Sequence, residues 1–144
     1  MTRSLFFKFL ARAMMPILIL FSIFFLLRGH NQPGGGFVGG LVGASSIVLM
    51  TLAYGPAEVA SRLRIDFRRA MFWGVIVAAI AGLLGLIFQS SFLESIWFKP
   101  YIDGIGKLEL GTPALFDTGV YIAVFGVTVS IVMAMADESD REAE

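Results

Sequence analysis

Residues 28–40 read RGHNQPGGGFVGG, a polar, glycine-heavy segment set between two long apolar runs. It carries the one histidine, His30, and six of the sixteen glycines: Gly29, Gly34, Gly35, Gly36, Gly39 and Gly40. The flanking runs, residues 5–27 and 37–54, are each near the roughly 20 residues that a helix needs to cross a bilayer. Irregular backbone cannot face lipid, because no water is there to satisfy the freed N–H and C=O groups. The segment is therefore the connection of a helical hairpin, and its glycines imply protein neighbours at close range.

Working outward, two further apolar runs cover residues 70–88 and 113–136. Hydrophobic residues make up 57% of the 144 and charged residues 15%, with a mean hydropathy of +0.81. A soluble domain is nearer to about 25% charged. The expected fold class is all-α: one polytopic membrane domain, residues 1–144, with four transmembrane helices and no internal repeat. The first run is too long for the core of a signal peptide, lacks a small-x-small site after it and is interrupted by Arg12. It is read as a retained helix. With no cysteine in the chain, disulfides and thiolate chemistry are excluded.

Net charge is zero, yet the basic residues are unevenly placed. Arg3, Lys8, Arg12, Arg62, Arg64, Arg68 and Arg69 fall on one side of the expected membrane, against Arg28, Lys99 and Lys107 on the other. The positive-inside rule then puts both termini in the cytoplasm. Such a basic loop suits the anionic headgroups of the lipid bilayer, and no feature points to nucleic acid.

In the second span Gly35 and Gly39, Gly36 and Gly40, and Gly39 and Gly43 are each four apart, a smooth face for another helix backbone. Small residues recur at Gly74, Ala78 and Gly82 and at Gly119 and Ala123, a surplus that suggests contact with other membrane subunits. Pro16 removes a donor from the first helix and should bend it. Tyr54-Gly55-Pro56 stops the second. The third connection, residues 89–112, is amphipathic and is expected to lie on the outer membrane surface as a short interfacial helix broken at Pro100.

Asp117 is the candidate for chemistry, because a charge inside a span is costly and therefore a functional hypothesis. It lies about one turn past Thr112-Pro113, a helix-starting pair. One reading makes it a cation or proton relay; the other has it held by the helix dipole or by Arg28. His30 is a second ion-route candidate, able to shuttle protons or to hydrogen-bond at the interface. One histidine and no cysteine make a metal site unsupported. The run 34–40 lacks the Lys-Ser/Thr ending of a phosphate loop. No nucleophile–base set is present, so no enzyme activity and no cofactor are expected.

RGHNQPGGGFVGGLV, residues 28–42, closely resembles the signature of the MnhB family, the B-type component of Mrp-type multisubunit sodium/proton antiporters. FDTGVYIAVFGVTV, residues 116–129, looks like the fourth-helix motif of the same family. The resemblance implies a non-catalytic subunit of a prokaryotic inner-membrane complex that moves Na+ and H+, assembled with subunits of A, C, D, E, F and G type. It supports assembly and would line the cation route, with Asp117 the acidic residue near it. Pro33, Gly34, Gly35, Gly36 and Phe37 would form the packed start of the second helix. Two alternatives stay open: the equivalent subunit of a membrane-bound hydrogenase-type complex, and a purely scaffolding subunit.

Overall fold

A computed structural model of the protein describes residues 5–29, 35–89, 97–98, 101–102, 106–107 and 110–141. Four helices are long and apolar enough to span a membrane, as the sequence predicts: α1 (Leu5–Arg28), α2 (Gly35–Tyr54), α4 (Phe67–Gln89) and α5 (Thr112–Arg141). Helix α1 runs through Pro16 without interruption.

The extra element is α3 (Pro56–Leu63), a short helix in the basic connection where the sequence reading has only a loop. Gly55, at φ 97° and ψ 155°, ends α2 in a conformation that a side chain would oppose. Pro56 then opens α3 in the first-turn position where its missing N–H loses nothing. Glu58 sits in the first turn and Arg62 in the last, each with the sign that the helix dipole favours, and they pair at 2.7 Å. Arg64 closes the helix in a left-handed conformation, its N–H donating to the Ala60 carbonyl at 3.1 Å. Eight residues are too few for a helical period to stand out between two spans. Asp66 caps α4, accepting from the Arg69 N–H at 3.2 Å, and so starts that helix three residues before the apolar run.

The third connection differs in kind from the expected interfacial helix. Its described residues form β1 (Trp97–Phe98), β2 (Tyr101–Ile102), β3 (Gly106–Lys107) and β4 (Leu110–Gly111). Trp97 pairs with Gly111, Phe98 with Leu110, Tyr101 with Lys107 and Ile102 with Gly106, all antiparallel and in one register. Trp97, Phe98, Tyr101 and Ile102 are aromatic or β-branched and favour extended backbone. Those local preferences outweigh the amphipathic spacing.

The helices pack in the order α1–α2–α5–α4, so α2 and α5 are central and α1 and α4 are the outer members. A side-chain core of Ala44, Ile47, Val59, Phe67 and Val129 lies at the basic end, where α3 lids the junction of α2, α4 and α5. Towards the other end, backbones replace side chains. A Cβ at Gly36 would land on the Asp117 peptide of α5, and Gly74 of α4 and Gly119 of α5 meet the Ala123 and Ala78 backbones reciprocally. The small faces expected to await other subunits are, at these positions, filled by this chain's own helices.

Candidate functional site

Helix α5 begins at Thr112-Pro113, and Asp117 lies about 7.5 Å along it at 1.5 Å per residue. Asp117 is half-buried, and its peptide is the surface on which Gly36 rests. The Arg28 guanidinium lies over the Phe24 ring, 5.9 Å from its centre. The first-turn N–H groups of α5 remain a favourable field for its carboxylate.

One turn further on, Tyr121 places its hydroxyl 2.7 Å from Ser22 Oγ of α1. Ser22 is fully buried and donates to the Gly39 carbonyl of α2 at 2.8 Å, so the tyrosine is the donor to serine. Three helices are thus joined by two hydrogen bonds. The series ends on a peptide carbonyl, which has no proton to pass on, so it fastens helices and relays nothing. Gly43 leaves room for it: a Cβ there would fall 2.7 Å from Ser22 Oγ and 3.0 Å from the Tyr121 oxygen. The Tyr121 ring stacks on Phe125 at 6.3 Å and 10°, and Phe125 meets Phe67 of α4 at 6.0 Å.

The sequence candidates fall in different places. Asp117, Gly36 and Gly40 come together on the α2–α5 seam, Gly43 meets both Ser22 of α1 and Tyr121 of α5, and Gly35 and Gly39 meet Gly29, just past α1, and the Ser22 carbonyl. Phe37 points away from the chain, 53% exposed. His30, Pro33 and Gly34 lie outside the described residues. Ser22 and Tyr121 are absent from the sequence candidates. Their signal is faint: a lone serine in an apolar run, and a tyrosine four residues past Asp117. Among the described residues, no group of three or more His, Cys, Asp or Glu side chains could hold a metal ion.

Residues 6–130 match the family model described as "Domain related to MnhB subunit of Na+/H+ antiporter". The chain is 41% identical over 122 residues to the B-type component of the Na(+)/H(+) antiporter of Bacillus subtilis, covering 85% of each. It is 33% identical over 129 residues to the B-type antiporter component of Alkalihalophilus pseudofirmus, covering 90% of each. Among solved structures it is similar to the Mrp complex from Dietzia sp. DQ12-45-1b, with a TM-score of 0.75 and 34% identity. That match covers 91% of this chain and 14% of the solved chain, so the same four-span unit also occurs inside a much longer polypeptide.

Proposed function

Because the chain belongs to the MnhB family of Na+/H+ antiporter components, we propose that it is a non-enzymatic wall and assembly subunit of an Mrp-type antiporter, with Asp117 lining the cation route. It works in a prokaryotic membrane as a multi-pass protein beside subunits of A, C, D, E, F and G type. The relatives' names favour this setting over a hydrogenase-type one. Both termini face the cytoplasm, because Lys8, Arg12, Arg62, Arg64, Arg68 and Arg69 share one end.

The observation that carries the reading is the placing of Asp117. It is an acidic residue one turn inside a span, half-buried, on the peptide that forms the tightest part of the α2–α5 seam. Gly36 packed on the Asp117 peptide fixes the backbone that carries this carboxylate, which suits a group that must hold its position while ions pass. The outward Phe37, Val38 and Leu41 offer an apolar surface on α2 for a neighbouring helix, next to the same seam.

The test is Asp117→Asn in the assembled complex, with subunit content read on a native gel. Normal assembly with loss of most sodium-dependent proton movement is the expected result. Normal assembly with normal transport would remove Asp117 from the route and leave a scaffold.

A further inference from the structure

We propose that the basic end of the subunit holds the phosphate of an anionic phospholipid in a cage of three cations around Tyr54. Tyr54 is the last residue of α2, a helix of 20 residues, about 30 Å long at 1.5 Å per residue, so its ring marks the edge of the hydrocarbon. Its hydroxyl donates to the Lys8 carbonyl at 3.3 Å and ties the end of α2 to the start of α1. Around the ring stand Lys8 Nζ at 5.5 Å, Arg12 Cζ at 5.8 Å and Arg62 Cζ at 5.4 Å from its centre. Each cation is drawn to the ring's negative face, but the ring cancels no charge, and the three repel one another.

Among the described residues, Glu58 is the one carboxylate bonded to the group, at 2.7 Å from Arg62, and it is half exposed. Among the described residues, neither Lys8 nor Arg12 has a carboxylate in ion-pair range. Arg12 lies seven residues into α1, about 10 Å along its axis, where an uncompensated cation is costly. Deeper on the same helix and on Arg12's side of it, four, eight and eleven residues on, Pro16, Leu20 and Ile23 are exposed and present a hydrocarbon wall. The occupant that fits is a phosphodiester at headgroup depth with acyl chains beneath it. Free phosphate or an acidic segment of another subunit matches the charge and leaves the wall uncovered.

This proposal rests on residues remote from Asp117 and survives or fails independently of it. The full chain is released from nanodiscs of equal parts phosphatidylglycerol and phosphatidylcholine, and retained lipids are counted by native mass spectrometry. Phosphatidylglycerol should be retained in preference, and Lys8→Gln and Arg12→Gln should each lower that preference roughly fivefold. Arg12→Lys should restore most of it, and Arg68→Gln, an exposed cation off the cage, should leave it unchanged. Equal retention by the Lys8→Gln/Arg12→Gln variant overturns the proposal. So does displacement of the lipid by inorganic phosphate, or unchanged retention with lost incorporation into the complex, which would put an acidic partner residue in the cage. If the double variant does not fold, Arg62→Gln at its exposed position decides alone: wild-type retention overturns the proposal.

Discussion

Ser22 shows how one small polar side chain organises three helices. Its hydroxyl is used twice, donating to Gly39 and accepting from Tyr121, with no exposed surface. The two ends of the Tyr121–Ser22 bond are therefore unequal under substitution. Tyr121→Phe removes a donor and leaves Ser22 bonded to Gly39, for an expected loss of about 0.6 kcal/mol, the average for hydrogen bonds between membrane helices. Ser22→Ala strands a tyrosine hydroxyl in the interior, a penalty of about 1–3 kcal/mol. Unfolding equilibria in micelles should place Ser22→Ala below Tyr121→Phe; the reverse order would mean that the tyrosine finds another acceptor. Asp117 stands out in the sequence as a candidate because a carboxylate in an apolar run is costly. Ser22 is not, since serines in such runs usually bond to their own helix, as Ser45 does to the Leu41 carbonyl and Ser46 to that of Gly43.

Elements are legible in proportion to their length. The long helices follow from apolar runs that only a helix can satisfy in lipid. The starts of α4 and α3 depend on single residues, Asp66 as a cap and Gly55 as a hinge, and run lengths do not reveal them. The strand pairs of the third connection draw on aromatic and β-branched residues, which an amphipathic pattern alone does not distinguish from a helix. Gly55 has φ 97° and ψ 155°, a region essentially restricted to glycine, so Gly55→Ala should destabilise the fold by about 1–3 kcal/mol. Its effect should appear in micelle unfolding even though no apolar contact is removed. The α2–α5 seam makes a sharper demand. Gly36→Leu would push side-chain atoms into the Asp117 peptide, so the two helices must part and incorporation into the antiporter should be abolished. Leu52→Ile, at an exposed position near the other end of the same helix, should assemble normally. Normal assembly of Gly36→Leu would show that the backbones do not meet there.

For the whole molecule, the number of spans follows from hydropathy, but their order in space does not. Apolar faces in lipid have no drive to close on one another, so helix contacts are decided by where small residues let backbones meet. Gly39 and Gly43 bring α2 to Ser22 of α1, Gly36 and Gly40 bring it to α5, and Gly74 with Gly119 joins α5 to α4. No comparable pairing among the described residues draws α4 back to α1, and the row stays open. Its outer helices keep large apolar residues exposed, Leu20, Phe21 and Phe24 on α1 and Trp73, Val75 and Ile76 on α4, surface that lipid or other subunits cover. The chain contains no cysteine, so introduced pairs report this order without background. Phe67→Cys with Phe125→Cys replaces rings 6.0 Å apart on α4 and α5, and a short bis-maleimide should link them into a faster-migrating monomer. Leu20→Cys with Ile76→Cys, on the two outer helices, should give no intramolecular link with the same reagent. Efficient linkage of that second pair would close the row into a bundle, and α2 and α5 could then no longer be the sole central helices.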